Sequence, residues 1–435
     1  MGARETALNV LIACRKEGGW SNSVLKEYIT RDRLDRRDAA LATRLCYGVL
    51  QNRLKLDFYL QQLLTGKLKD LHPAVRDILH LGLYQLKEMD KVPSSAAVTE
   101  SVDLAKQYCK KQRYAPGLVN AVLRKAATEE LKEPTGWQEK YSHPQQLIDL
   151  LKGYVGKERM EAMLIANNAA PETVAQVNTL KISAAELQKQ LQMDGVMAQP
   201  HSWMENALVL SGTGNLENLP AFRDGLLYIQ DAAAKLSVLC AGIPAGSKVL
   251  DCCAAPGGKS FAAAIAMGGT GSVISCDIYG HKATLIENGA KRLGIDNLMA
   301  RQLDATTYVE QWTDKMDVVI ADVPCSGLGI IRKKPDIRYK NLKEIEALPA
   351  LQLQILKNQA RYVRPGGVLL YSTCTLLRAE NEGVVEAFLQ ENDDFALEKL
   401  QLPAVFPENE TGMLALVPGQ YETDGFFIAK LRRKV

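Results

Sequence analysis

Two cysteines stand where a thiol could act as a nucleophile. Cys325 lies in Asp322-Val323-Pro324-Cys325-Ser326-Gly327 and Cys374 in Ser372-Thr373-Cys374-Thr375. Each follows an apolar run that reads as a strand, and each is flanked by small residues that leave the sulfur open. A thiolate attacks electrophilic carbon, and neighbouring charge decides how readily it forms. A single cysteine is most often a small buried hydrophobe. Two at the ends of neighbouring strands, one of them close to an acid, point to chemistry instead.

A third stretch belongs with them. Residues 249–259 read VLDCCAAPGGK, an apolar run ending in Asp251, then a loop with Pro256, Gly257 and Gly258, then an Ala-rich helical segment opened by Ser260. Strand–loop–helix transitions of this kind bind ligands at the carboxyl ends of strands in open α/β sheets. The glycines let backbone N–H groups come close to a ligand, and the helix start favours negative groups. A Walker A loop would need glycine where Cys253 stands, and no G-x-G-x-x-G spacing occurs. Four successive strand candidates end in an acid: Asp251, Asp277, Asp304 and Asp322. Any one could cap the following helix; four at one end of a sheet read as a ligand-lined rim. Asp277 stands where a carboxylate could take both hydroxyls of a ribose.

The elements that must position these groups follow from periodicity. From about residue 230 strand and helix alternate, with strand candidates at 248–253, 272–277, 298–304, 316–322, 368–374 and 426–431. This predicts a largely parallel, doubly wound sheet. Residues 1 to about 130 show helical spacing only, at 41–50, 54–64, 75–86 and 98–108, punctuated by Pro73, Pro93 and Pro116. The polar stretch 129–143 reads as a linker. Between these lies a short helix and a small module, with strands expected at 174–180, 207–210 and 226–229 and a capped helix at 183–193. The expected organisation is therefore multidomain: an all-α bundle at 1–130, a linker helix with a small α/β module at 144–229, and an α/β domain at 230–435.

Bulk properties narrow the setting. The 435 residues are 47% hydrophobic and 24% charged, as in ordinary soluble proteins. No apolar run approaches the roughly 18 residues of a membrane span, and no signal peptide opens the chain. The start MGARET fits a loose myristoylation pattern, but Leu8, Leu11 and Ile12 already read as an amphipathic helix. Nine cysteines without C-x-x-C pairs argue against a disulfide framework or a zinc site and for the reducing cytoplasm. Residues 1–140 carry 24 Lys+Arg against 17 Asp+Glu, while the remainder is acidic. Lys106, Lys110, Lys111, Arg113, Arg124 and Lys125, interleaved with Tyr108 and Tyr114, could serve phosphate contact and base stacking. A second basic strip holds Arg332, Lys333, Lys334, Arg338, Lys340 and Lys343 against Asp336, and starts just after the Cys325 loop. It is expected to contact RNA phosphates beside the active site.

Taken together, DCCAAPGGKS, Cys276-Asp277, LDA at 303–305, DVPCSG, YSTCT, PDIR at 335–338 and TDGFFIAKL at 423–431 resemble the RNA cytosine-C5 methyltransferases that use S-adenosylmethionine. The helical amino-terminal third, with LVNAVLRK at 118–125, is similar to the NusB-like domain of the Sun/Fmu (RsmB) branch, which acts on 16S ribosomal RNA. The resemblance spans nearly the whole chain; Val323 stands where alanine is usual. It implies a NusB-like bundle and a Rossmann-like class I methyltransferase domain with a mostly parallel seven-stranded sheet. It also implies an attack by Cys374 on C6 of cytosine, which makes C5 able to accept a methyl group. Cys325 would assist proton removal and release, Asp322 would bond the N3/N4 edge of the base, and Lys259 would favour the thiolate or orient the base. Cofactor contacts carry over to Cys253, Ala254, Ala255, Pro256, Gly257, Gly258 and Lys259, to Asp277 on the ribose, and to Asp304 and Asp322. The implied partner is ribosomal RNA, free or within a small-subunit particle, with no metal and no membrane. A DNA cytosine methyltransferase would attack with the cysteine of its Pro-Cys loop, which Cys374 and the helical domain argue against. Transfer RNA as the substrate, or RNA binding without catalysis, are the alternatives.

Overall fold

The computed structural model describes residues 1–17 and 21–435. Contacts divide the chain into two compact units, Met1–Asn168 with Ile331–Lys340, and Ala169–Ile330 with Asn341–Val435. The helices of residues 145–155 and 157–168, expected with the small module, thus belong to the first unit, and the module shares the second unit with the sheet.

Among its described residues, the regular elements of the first unit are all helices. Asp35 caps the helix Arg36–Leu63 by accepting the Asp38 N–H at 2.8 Å. Sequence periodicity breaks this helix into two segments, and the structure shows why: Asn52 departs from helical geometry (φ −108°, ψ 15°), with its side chain turned back onto Gly48 O at 2.9 Å. Pro73 starts the next helix at a position where a missing N–H costs nothing. The helices close over one core that includes Leu45, Leu60, Ile78, Leu79, Val119 and Leu123. Gly48 lies under the Tyr84 ring, where a Cβ would come within 2.0 Å of it. Tyr108 packs into this bundle, its hydroxyl between Asn9 Nδ2 and Glu5 Oε1 at 2.9 Å each, so it does not stand free for base stacking. Tyr114 is exposed.

In the second unit, the strands β1 (Thr173–Val177), β2 (Met197–Pro200), β3 (Ala207–Ser211) and β4 (Leu227–Ile229) form an antiparallel sheet in the order β2-β3-β1-β4. The helix Ala184–Met193 packs on it, its start fixed by a capping box between Ser183 and Glu186. The larger sheet contains β5 (Lys248–Asp251), β6 (Ser272–Asp277), β7 (Leu298–Gln302), β8 (Met316–Asp322), β9 (Val363–Thr373), β10 (Phe395–Leu397), β11 (Met413–Leu416) and β12 (Phe426–Arg433). Its order is β10-β12-β9-β8-β5-β6-β7, with β11 also paired to β12, which makes eight strands rather than seven. Strands β5 to β9 run parallel; β12 runs antiparallel to β9, β10 and β11.

Successive residues of the central strands enter two different cores. Val249, Val318, Ile320, Leu370 and Ile428 face one, with the helices Ala232–Ala241 and Gly258–Ala266. Leu250, Val319, Ala321, Leu369 and Phe427 face the other, with Leu348–Ala360 and Glu382–Glu391. Both faces are covered, which is why these strands read as unbroken apolar runs. Strand order reverses between β5 and β8, and the crevice of a doubly wound sheet opens at such a switch point, outside the carboxyl ends of the strands.

Candidate active site

The loops after β5, β8 and β9 bring four of the expected chemical groups into contact. Cys325 Sγ lies 3.1 Å from Cys374 Sγ, and the Cys374 N–H points at Cys325 Sγ at 3.3 Å. Lys259 Nζ donates to Asp322 Oδ2 at 2.6 Å, and Ser372 Oγ donates to Asp322 Oδ1 at 2.8 Å. The ammonium also stands 5.1 Å above the centre of the Phe426 ring. Ser326 and Thr375, each next after a cysteine, join hydroxyl to hydroxyl at 2.7 Å, so the two cysteine loops are tied together.

Electrostatics separate the roles of these groups. Burial alone would lower the pKa of Lys259, but the charge and hydrogen bond of Asp322 outweigh it and raise it, so the lysine stays cationic. The negative potential of Cys374 adds to that rise, so the ammonium and this sulfur favour one another's charged forms. Cys325 is held well above the usual thiol range, first by its hydrogen bond to Cys374 and then by burial.

The remaining expected site residues fall less uniformly. In the glycine loop, Gly257 adopts φ +109°, and a Cβ there would meet the Phe261 ring at 2.4 Å, so only glycine fits. Its N–H closes the turn onto Ala254 O at 2.7 Å. Ala254 is buried, Cys253, Ala255, Gly258 and Lys259 are half-buried, and Pro256 is exposed. Asp277 ends β6 with Oδ1 accepting the Tyr279 N–H at 3.2 Å and standing 3.7 Å from Lys282 Nζ as an ion pair. Asp304 lies two residues past β7 and uses Oδ1 to hold Thr306 N and Oγ1, both at 2.8 Å. Asp251 is not a rim residue. It is fully buried, takes the Ser260 hydroxyl at 2.7 Å, and its pKa is pushed up to about 7 by desolvation.

The basic strip requires a second correction. Ile331–Lys340 belongs to the first unit, and Arg338, expected to contact phosphate, is buried there. Its guanidinium donates to Gln51 O at 2.9 Å, Asn168 Oδ1 at 3.0 Å, Ser142 O at 3.2 Å and Asn167 O at 3.4 Å. Arg332 and Lys333 are half-buried and Lys334 is exposed.

Several residues of the site carried no sequence signal. Gln230 approaches Gly258 closely, 3.0 Å from where a Cβ would stand, and its buried Oε1 has no protein partner. Glu380, Gln352 and Asn381 brace the cysteine loops, although they read in sequence as ordinary polar helix residues.

Comparison with known proteins matches this architecture segment by segment. Residues 1–128 match the NusB family, 143–217 the ferredoxin-like domain of RsmF/B-like methyltransferases, and 243–432 the 16S rRNA methyltransferase RsmB/F family. A probable ribosomal RNA small subunit methyltransferase B from Bacillus subtilis is 35% identical across 99% of this chain and 98% of its own length. The chain belongs to the RsmB/F family of 16S rRNA methyltransferases. A probable ribosomal RNA small subunit methyltransferase B from Synechocystis is 33% identical across the full length of both chains. Among solved structures, PH0851 superimposes over 100% of this chain and 99% of its own with a TM-score of 0.83 at 24% identity, which shows the shared fold. A methyltransferase homolog protein from Pyrococcus horikoshii covers 68% of this RsmB/F chain and 97% of its own, with a TM-score of 0.59 and 27% identity. Among the described residues, no helix is long and apolar enough to cross a membrane.

Proposed function

We propose that this chain methylates C5 of a cytosine in 16S ribosomal RNA in the cytoplasm, through a transient covalent bond between Cys374 Sγ and C6 of the base. The observation that carries the reading is the pair of sulfurs 3.1 Å apart next to the Lys259–Asp322 ion pair. C5 of cytosine is a poor nucleophile within the aromatic ring. Addition of the Cys374 thiolate to C6 converts C5 into an enamine-like carbon. The Lys259 ammonium favours the thiolate of Cys374, and Cys325 stands beside it with its own pKa raised by the hydrogen bond to Cys374 and by burial. Asp322, fixed by Lys259 and Ser372, presents its carboxyl to the N3/N4 edge to accept the base's amino N–H and orient it, while the Lys259 cation offsets the negative charge that addition places on the ring. Once C5 carries the methyl group, Cys325 assists removal of the C5 proton, the freed electron pair restores the C5–C6 double bond, and Cys374 leaves as the thiolate.

S-adenosylmethionine, when bound, supplies a methyl group on a sulfonium. The residues present fit it: Asp277 offers a carboxylate for ribose hydroxyls at the end of β6, next to the loop Cys253–Lys259, whose Ala254 N–H bonds Cys276 O at 2.8 Å. Gln230 holds an unpartnered buried carbonyl beside that loop, and Asp304 lies past the next strand. The target base must leave its stack to reach Cys374, so a loop or locally opened RNA is the expected substrate. Arg332, Lys333 and Lys334, with the basic helical unit, supply phosphate contacts.

The test incubates Cys325→Ala and Cys374→Ala with 16S ribosomal RNA and S-adenosylmethionine, followed by a denaturing gel and nucleoside mass spectrometry. A retained protein–RNA band with Cys325→Ala, absent with Cys374→Ala, is expected, with 5-methylcytosine formed by the parent. The reverse pattern would exchange the two cysteines. Activity on transfer RNA alone would overturn the substrate assignment.

A further inference from the structure

Both cysteine loops are held by one pair of consecutive residues. Glu380 is buried, and its Oε2 accepts the Ser326 N–H at 2.9 Å. Gln352, also buried, donates from Nε2 to Pro324 O and to the same Glu380 oxygen, 2.9 Å each. The peptide groups on either side of Cys325 are thus clamped by Glu380 and Gln352. Asn381 does the same for the other loop. Its Oδ1 accepts the Thr373 hydroxyl at 2.6 Å, and its Nδ2 donates to Thr375 O at 3.1 Å, so both neighbours of Cys374 are fixed. Glu380 is itself anchored, because Tyr371 OH donates to its backbone oxygen at 2.5 Å.

We infer that Glu380 and Asn381 are positioning residues that separately aim the two sulfurs: Glu380, with Gln352, places Cys325 for release, and Asn381 places Cys374 for attack. These hydrogen bonds are made to the residues flanking each cysteine, so the bracket sets where each sulfur stands; the charge of Glu380 also raises the pKa of Cys325, and Glu380→Gln separates that charge from the positioning. A displacement of about 1 Å at a reacting group costs on the order of a hundredfold in rate. The inference rests on the covalent mechanism proposed above and assigns different steps to adjacent residues.

The experiment measures, for each full-length variant, product formed and protein–RNA adduct retained on a denaturing gel, using 16S ribosomal RNA and S-adenosylmethionine. Glu380→Ala is expected to retain at least about tenfold more adduct per product than the parent, and Glu380→Gln, which keeps an accepting oxygen, to restore the parental ratio. Asn381→Ala is expected to lower adduct and product together by about tenfold or more, with cofactor affinity unchanged. If Glu380→Ala does not fold, Gln352→Met reads the same clamp through Pro324 and should shift the ratio in the same direction. A parental ratio in the Glu380 and Gln352 variants, or equal losses in both classes that track thermal stability, overturns the inference. Cys325→Ala run alongside distinguishes the cases: adduct there with a parental ratio in Glu380→Ala removes only the bracket, whereas no adduct there removes the covalent mechanism.

Discussion

Replacing Arg338 by methionine should loosen the helical unit, and its contacts set the size of the effect. Methionine keeps an unbranched apolar stem but strands Gln51 O, Asn168 Oδ1 and Ser142 O, the three oxygens within 3.2 Å of the guanidinium. Ser142 O is buried and the other two acceptors are part-buried; an acceptor that loses its donor costs about 1–3 kcal/mol, or roughly 6 kcal/mol for the three at mid-range. Against this stands the penalty of burying a cation. Burial pushes the Arg338 pKa down from 12.5 to about 10, which corresponds to about 3 kcal/mol that methionine does not carry. The difference, about 3 kcal/mol, favours arginine. Because the chain has two units, a single unfolding midpoint is a poor readout. Hydrogen exchange resolves the effect locally: amides near Asn52 and in the helix Lys157–Asn168 should exchange on the order of a hundredfold faster. The helix Gly258–Ala266, in the second unit, provides the reference. Unchanged or slower exchange in the variant would refute the reasoning, because desolvation of the cation would then outweigh its hydrogen bonds.

Other perturbations have equally definite outcomes. Asp251 has its pKa raised from 3.8 to about 7, so the folded state binds the extra proton and loses stability as pH rises between those values. Asp251→Asn should therefore gain stability relative to the parent from pH 4 to 7 and keep a constant offset above it, read from hydrogen exchange in the helix Gly258–Ala266; a pH-independent difference there would count against the buried acid. Gly329→Ala drives a Cβ to within 2.1 Å of Gly425 O, beside the Gly329 N–H that holds Cys374 O at 2.9 Å. It should cost about 1–3 kcal/mol and slow adduct formation, as read by thermal melting and the denaturing gel. A diazene oxidant such as diamide should take the two thiol hydrogens of Cys325 and Cys374, since closing 3.1 Å to a bond requires a shift of only about 1 Å. Peptide mass spectrometry should show the loss of two hydrogens and a cross-link, reversed by dithiothreitol; oxidation elsewhere with these two thiols intact would contradict the spacing.

The central strands were legible because their residues feed two cores, so that Val318 to Ala321 and Val368 to Tyr371 form apolar runs closed by turn residues. The cysteine loops were legible because proline, glycine and small hydroxyl residues gather at strand ends, where ligands bind. Less visible were β2, β10 and β11, whose three or four residues give too short a pattern to register. Arg338 misled because charge is read as exposure until carbonyl acceptors can be seen, and those acceptors come from residues 51, 142, 167 and 168. The bracket at Glu380 and Asn381 was hidden for a related reason. Its partners lie across strands that only the folded sheet brings together, and its residues look like the start of an exposed helix.

The membership of Ile331–Lys340 in the first unit has a consequence for synthesis. A ribosome that has released the first 168 residues has not yet made the side chain that occupies the polar centre of their helices. Until Arg338 emerges, Gln51, Ser142 and Asn168 lack their donor, and the helical unit must wait through more than half of the second unit before it can close. Amino-terminal units ordinarily finish first; here the last piece arrives late. A fragment ending at Asn168 should therefore be expressed as an open, protease-sensitive bundle, and a peptide of residues 331–340 supplied in trans should protect it.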